Sequence, residues 1–111
     1  MSIRKSILLL GLVALLTACG EPVPAAKAAY VGEWQAANMY LSISQEGSVV
    51  YKRVDGSTSK SIDGPLQGFQ GDNFEVGVGP VSTTFVVSVP PREVAGTWQM
   101  TVDGVVLTRQ E

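Results

Sequence analysis

From residue 30 onward, the chain alternates apolar and polar residues in short runs, and turn-forming residues interrupt these runs about every ten residues. A side-chain period of two is typical of β-strands with one buried face, and no run keeps a helical period for three turns. Three apolar stripes are predicted to face a core: Met39, Leu41, Ile43; Phe74, Val76, Val78; and Phe85, Val87, Val89. Residues 30–111 are therefore predicted to form one small all-β domain.

The predicted turns divide this domain into short strands. They are Gln45-Glu46-Gly47, Asp55-Gly56, Gly79-Pro80 and Asp103-Gly104. Such spacing favours an antiparallel meander of about seven to nine strands, closed or nearly closed into a barrel. A two-sheet β-sandwich is the alternative.

The hairpin at Asp103-Gly104 is the most specific structural prediction, because Asp-Gly pairs favour two-residue loops. Such a loop places Val102 opposite Val105 and Met100 opposite Leu107. It also places Trp98 opposite Arg109, where the guanidinium can stack on the indole for about 0.5 to 1 kcal/mol.

The first twenty residues follow a different pattern. Arg4 and Lys5 precede an apolar run from Ile7 to Leu16, and small residues follow the run, as in an export signal. Ten residues span about 15 Å as a helix, roughly half of a hydrocarbon core, which is too short for a permanent membrane span. We therefore expect residues 1–18 to be a signal peptide that is removed.

The sequence Leu16-Thr17-Ala18-Cys19 resembles the lipobox of bacterial lipoproteins. This resemblance implies that the Cys19 thiol receives diacylglycerol, that cleavage occurs just before Cys19, and that the new amino terminus is acylated. Several acyl chains hold a protein stably on a membrane. Gly20 stands where, by the same resemblance, Asp would signal retention at the inner membrane. We expect a lipid-anchored protein of the cell envelope, on the outer membrane facing the periplasm if the source has two membranes.

An ordinary secreted protein cut at Ala26-Lys27-Ala28 is the alternative, but that site lies ten residues beyond the apolar run. The lipid-anchored interpretation leaves residues 19–29, rich in Pro and Ala, as a tether that reaches about 30 Å if extended. It also leaves six basic and ten acidic residues, a net charge of −4. That charge argues against nucleic acid and against attraction to anionic headgroups.

The inventory of chemically active side chains is short. The chain has no histidine, and Cys19, its single cysteine, is predicted to carry lipid. Imidazole-based catalysis, disulfides and thiol chemistry are thereby excluded. A pair of carboxylates, as in glycoside hydrolysis, is the remaining option for an enzyme. The candidate acids are Asp63, Asp72, Glu75 and Asp103, and we interpret Asp63-Gly64 and Asp103-Gly104 as turns. We predict a protein without catalytic residues, metal ion or cofactor.

Two segments are candidate contact sites for a ligand or partner. A two-residue loop at Asp55-Gly56 places Tyr51 and Arg53 on the same face as Lys60, which suits an anionic ligand or forms a solvated rim. The second segment contains Pro90, Pro91 and Arg92. We expect its proline pair to end the preceding strand and to form a stiff loop, either a contact site or a plain connection.

Gly32-Glu33-Trp34 together with Arg109 resembles the Gly-x-Trp motif and terminal Arg of lipocalin-like barrels. This resemblance implies that Trp34 closes one barrel end against Arg109, although the hairpin equally places Trp98 there. The domain has 82 residues, about half the length of a full lipocalin, and small barrels of about eight strands fill their interior with side chains. We therefore favour a non-enzymatic interaction module that contacts another envelope protein. The alternative is a lipocalin-like binder of a small amphiphilic ligand.

Overall fold

The computed structural model describes residues 20–110. The predicted signal peptide, Cys19 and residue 111 lie outside these described residues. A 3-10 helix, Ala25–Tyr30, precedes the strands. The strands of the described chain are β1 Gly32–Gln35, β2 Met39–Ile43, β3 Ser48–Asp55, β4 Thr58–Gln70, β5 Asn73–Val78, β6 Val81–Phe85, β7 Val87–Val94, β8 Thr97–Val102 and β9 Val105–Arg109.

The strands form one curled antiparallel sheet with the order β6-β5-β4-β3-β2-β1-β9-β8-β7, which makes a half-barrel. Neighbours in the sheet are mostly neighbours in sequence, and β1 additionally pairs with β9 near the two ends of the domain. The prediction of an all-β antiparallel meander is confirmed. The alternating pattern allows this fold because each strand needs one apolar face toward the enclosed side of the sheet.

The β8–β9 hairpin has the predicted register, with Val102 opposite Val105 and Met100 opposite Leu107. Its loop residues Asp103 and Gly104 have φ angles of 48° and 81°. Positive φ at both positions is the type I′ turn that matches the twist of the flanking strands. Local turn chemistry was therefore sufficient to set this register.

The predicted loop of the β3–β4 hairpin was wrong by one residue. Asp55 pairs with Thr58, so the loop is Gly56-Ser57. This change moves each cross-strand partner by two positions, and a shift of two keeps the same residues on the same face. Arg53 consequently lies opposite Lys60.

Two other segments interpreted as irregular are part of strands. β7 continues through Pro90 and Pro91, although this proline pair was predicted to end the preceding strand. β7 is an edge strand, and its register shifts between Val89 and Arg92, so the prolines lie at a bulge where the ladder does not need their missing N–H groups. Similarly, Asp63-Gly64 lies inside β4 and is not a turn.

The core is a single cluster of apolar side chains, and no polar or charged residue among the described ones is buried. Its members are Val23, Tyr30, Trp34, Met39, Leu41, Ile43, Val49, Tyr51, Leu66, Phe74, Val76, Phe85, Val87, Met100, Val102 and Leu107. Two predicted stripe positions differ, because Val89 is half-buried and Val78 is 71% exposed. Val78 is the last residue of β5 and pairs with Val81 on the edge strand β6.

Aromatic rings connect the two ends of this core. The Tyr30 ring lies 5.0 Å from the Phe69 ring and 6.3 Å from the Phe74 ring, measured between centroids. Phe74 stacks on Phe85 at 5.0 Å, and Phe85 contacts Tyr51 edge-on at 4.9 Å. Each such pair contributes about 0.5 to 1.5 kcal/mol beyond simple burial. The enclosed side of the sheet is therefore filled with side chains.

The two edge strands β6 and β7 are consecutive in the chain and meet at Val86. There the Val86 N–H donates to Asp103 Oδ1 at 2.9 Å, and the Asp103 N–H donates to the Val86 carbonyl oxygen at 2.8 Å. The Val87 N–H donates to Asn73 Oδ1 at 2.8 Å. Two side chains thus take over hydrogen bonds that a sheet ladder would otherwise make.

Residues 20–29 differ from the extended tether that their composition predicts. Val23 is 3% exposed and belongs to the core, and the 3-10 helix leads directly into the buried Tyr30. Burial of these two apolar side chains helps to hold this segment against the sheet, whereas composition describes only its local preferences.

Candidate functional site

Arg109 contacts both tryptophans that the sequence offered as its partner. Its guanidinium carbon lies 4.9 Å from the Trp98 ring centroid and 5.7 Å from the Trp34 ring centroid. Trp34 is fully buried, pairs with Arg109 across β1 and β9, and donates its indole N–H to the Tyr30 carbonyl oxygen at 3.0 Å. Trp98 is half-buried. This cluster packs the first strand of the sheet against the last one in sequence, so its role is structural.

The same end of the sheet is covered by the 3-10 helix, through contacts that sequence reasoning missed. Lys27 Nζ donates to the Gly71 carbonyl oxygen at 2.7 Å and lies 3.6 Å from Asp72 Oδ1. It also lies 5.6 Å from the Tyr30 ring centroid. The Tyr30 hydroxyl donates to the Asp72 carbonyl oxygen at 2.9 Å. The apolar pair Val23 and Tyr30, seven residues apart, was the available signal that this segment packs.

Burial changes the acidity of Tyr30. Desolvation by burial, together with the smaller effect of the negative charge of Asp72, raises the pKa of the Tyr30 phenol from 10.0 to about 12. Both effects disfavour the phenolate. Tyr30 therefore acts as a hydrogen-bond donor over the whole physiological pH range.

Tyr51, Arg53 and Lys60 lie together, as the sequence predicted for one face. Tyr51 is buried, Arg53 is partly exposed, and Lys60, directly opposite Arg53, is exposed. Arg53 Nε lies 3.2 Å from Asp55 Oδ2, an ion pair in which that N–H is not aligned for a hydrogen bond. A hydrogen bond with Tyr51 and the nearby Asp55 carboxylate raise the pKa of the Arg53 guanidinium. Two cations therefore stand at this rim with one close counter-charge.

Pro90, Pro91 and Arg92 lie within the edge strand β7, and the two prolines lie at its bulge. Pro90 and Arg92 are exposed and Pro91 is partly exposed. Prolines and charged residues on an edge strand prevent pairing with a further strand. The geometry of this segment therefore resembles a protected edge.

The other edge strand, β6, has no such protection. Its sequence is Val-Ser-Thr-Thr-Phe, without proline or charge. Within the described chain it pairs with β5 on one side, and its outer side is a sheet edge. Val81 at its start is 78% exposed and pairs with Val78, which is 71% exposed. Exposed apolar residues on an unprotected edge are typical of a surface that receives another strand.

A concave surface adjoins these two valines. It has a volume of about 290 Å³ and lies between Ile62, Val76 and Thr83, with Val78 and Val81 at its margin. Enclosed small-molecule sites usually measure about 300 to 1,000 Å³. This depression is therefore small for an enclosed ligand and large enough for one or two side chains. We call β6 with Val78 and this depression the β6 surface.

The four candidate acids lie on different elements. Asp103 is bonded to Val86 as described, Asp72 pairs with Lys27, and Glu75 Oε2 accepts a hydrogen bond from Thr84 Oγ1 at 3.3 Å. Asp63 is exposed on β4. Among the described residues, no group of three or more acids, cysteines or histidines has the geometry to hold a metal ion.

Residues 20–110 also contain no helix with the length and hydropathy needed to span a bilayer. Comparison with known proteins found no matching family model, curated protein or solved structure.

Proposed function

We propose that this chain is a bacterial envelope lipoprotein, anchored by lipid on Cys19, whose β-domain is a non-enzymatic interaction module. The anchor is supported by the lipobox-like sequence Leu16-Thr17-Ala18-Cys19 after an export-type apolar run. The interaction role is supported by a sequence without histidine and by a sheet interior filled with side chains. The outer membrane facing the periplasm is the expected location in a cell with two membranes.

The observation that carries the interaction role is the β6 surface. Val78 and Val81 expose apolar area next to an edge strand that lacks charge and proline. An extended segment of a partner protein, with small apolar residues at alternate positions, suits this edge because it adds a strand and covers both valines. A strand added in this way would extend the curled sheet beyond β6.

Crosslinking in cells tests this proposal. A photo-reactive amino acid at Ser82 on β6 is expected to capture a discrete envelope protein. The same amino acid at Val106, which is exposed on the interior strand β9, is the matched control. Val81→Lys places a charge on the edge and is expected to abolish capture from Ser82, whereas Val106→Lys is not. Equal capture from both positions, or capture that survives Val81→Lys, contradicts the proposal.

A small anionic amphiphile is the second candidate ligand. Arg53 and Lys60 face each other across β3 and β4, next to the apolar depression that begins at Ile62. A lipid or metabolite captured from Ser82 that disappears in an Arg53→Gln and Lys60→Gln double variant supports this candidate. Pro90, Pro91 and Arg92, by contrast, protect the opposite edge.

The lipid anchor has its own test. Cys19→Ser is expected to remove palmitate labelling and to release the mature protein from the membrane fraction. A variant that keeps both properties contradicts the anchor, because no other cysteine is present in the chain.

A further inference from the structure

The residues that directly follow Cys19 are fastened to the domain by backbone hydrogen bonds. The Glu21 N–H donates to the Leu66 carbonyl oxygen at 3.0 Å, and the Val23 N–H donates to the Gln45 carbonyl oxygen at 3.0 Å. Gln45 Nε2 returns a hydrogen bond to the Val23 carbonyl oxygen at 2.8 Å. These bonds connect the amino-terminal segment to the β2–β3 turn and to β4, two elements that are distant in sequence.

Two glycines let this segment approach the turn closely. A Cβ atom on Gly47, which has a φ of 95°, would lie 2.2 Å from the Glu21 carbonyl oxygen. A Cβ atom on Gly20, with a φ of 77°, would lie 2.8 Å from the Gly47 carbonyl oxygen. The Leu66 N–H donates to that same oxygen at 2.8 Å. Backbone contact this close fixes the position of Gly20 relative to the sheet.

We infer that the lipid anchor holds one particular end of the domain against the bilayer, with no spacer between them. The inference rests on the proposed lipidation of Cys19, which is one peptide bond, or about 3.8 Å between Cα atoms, from Gly20. A flexible tether would let the domain stand off and tumble, whereas a fixed Gly20 does not. The surface that this end of the domain contacts is therefore the lipid headgroup layer.

The membrane-facing end is defined by what surrounds Gly20. We call it the anchor face: residues 20–22, the turn 45–47, Pro65, and Val78 with Gly79. A groove of about 950 Å³ runs from Gly20 to Gly79, and Gln67 Nε2 donates to the Gly79 carbonyl oxygen at 3.1 Å. The exposed Val78 thus lies beside the anchor, and the partner segment accepted by β6 would bind close to the membrane surface.

Charge does not drive this orientation. Glu21 and Glu46 are exposed on the anchor face, and it contains no lysine or arginine. Anionic headgroups would repel these carboxylates, so the contact depends on the acyl chains and on the fixed segment. The opposite end of the domain is distant, because β3 begins at Ser48 and extends for eight residues, about 26 Å at 3.3 Å per residue.

Fluorescence quenching in vesicles tests the inference on the full acylated lipoprotein. Ser48→Cys and Ser57→Cys place a label at the two ends of the β3–β4 hairpin, both at exposed serines. In phosphatidylcholine vesicles that carry a headgroup spin label, we expect quenching of the Ser48 label to be several-fold stronger than quenching of the Ser57 label. Circular dichroism checks that both variants keep the β-fold.

A lengthened anchor is the comparison that isolates the missing spacer. About ten Gly and Ser residues inserted between Cys19 and Gly20 add a reach of about 18 Å, and quenching at Ser48 should fall toward that at Ser57. Equal quenching at both positions in a palmitoylated protein, or quenching that ignores the insertion, overturns this inference alone. Absence of palmitate on the protein is a separate readout, and it overturns the lipid anchor as well.

Discussion

Replacing Trp34 is the most demanding test of how this domain is held together. Trp34→Ala removes a fully buried indole that packs between the first and last strands. Truncation of a buried Trp costs about 3 to 5 kcal/mol. A domain of about 90 residues is stable by roughly 5 to 14 kcal/mol, at about 0.05 to 0.15 kcal/mol per residue. We therefore expect this variant to lose a large part of its unfolding free energy.

Two companion substitutions separate the contributions. Trp34→Phe keeps most of the apolar area but leaves the Tyr30 carbonyl oxygen without the 3.0 Å hydrogen bond, for about 1 to 3 kcal/mol. Trp98→Ala removes a half-buried ring, and Arg109 keeps the Trp34 ring 5.7 Å away. We expect about half the cost of the Trp34 truncation, or about 2 kcal/mol.

Urea unfolding of the mature chain carrying Cys19→Ser, followed by far-ultraviolet circular dichroism, measures these differences. With an m value of about 1 kcal/mol/M, Trp34→Ala should lower the midpoint by about 4 M and Trp98→Ala by about 2 M. Circular dichroism is preferable because the substitutions change tryptophan fluorescence directly. Equal shifts for the two alanine variants would refute the unequal burial of Trp34 and Trp98. An unchanged midpoint for Trp34→Phe would refute the contribution of the hydrogen bond to the Tyr30 carbonyl oxygen.

Three further predictions concern other parts of the domain. The folded protein binds the Tyr30 phenolic proton more tightly than the unfolded chain does, so the free energy of unfolding should fall between about pH 10 and 12. Urea unfolding across this pH range should show a smaller fall for Tyr30→Phe than for the wild type. Asp103→Ala should cost about 1 to 2 kcal/mol and increase hydrogen exchange at Val86, which donates to Asp103 at 2.9 Å, whereas Asp103→Asn keeps an acceptor and should cost less. Replacing Pro90 and Pro91 with alanine should promote concentration-dependent association in size-exclusion chromatography, because new N–H groups appear on an edge strand; unchanged elution would contradict the edge-protection argument.

Residue types that act locally allowed the most reliable inferences about the candidate sites. The Asp103-Gly104 loop specified its own turn type and hence the pairing of Met100 with Leu107. The face shared by Arg53 and Lys60 was also predictable, since the period of two survives a shift of two residues in register. The loop position itself was not, because glycine at position 56 suits either of two adjacent two-residue loops.

Features that depend on sheet position were not predictable from local patterns. A proline pair ends a strand in the middle of a sheet, but an edge strand can continue through it at a bulge. Only the strand order of the fold makes β7 an edge strand. Likewise, Val78 belongs to an alternating stripe by sequence, yet it is exposed at the end of β5, next to the edge strand β6. The β6 surface therefore follows from topology.

The sequence by itself determined the strand character of the domain and its Asp103-Gly104 hairpin, because each depends on neighbours a few residues apart. Tertiary structure decided that Arg109 lies between two tryptophans and that residues 20–24 are fastened to the β2–β3 turn. Those contacts join segments separated by tens of residues. The energies of these contacts arise from burial and from close backbone approach, which exist only once the sheet has curled. The local alternation of apolar and polar residues therefore does not predict them.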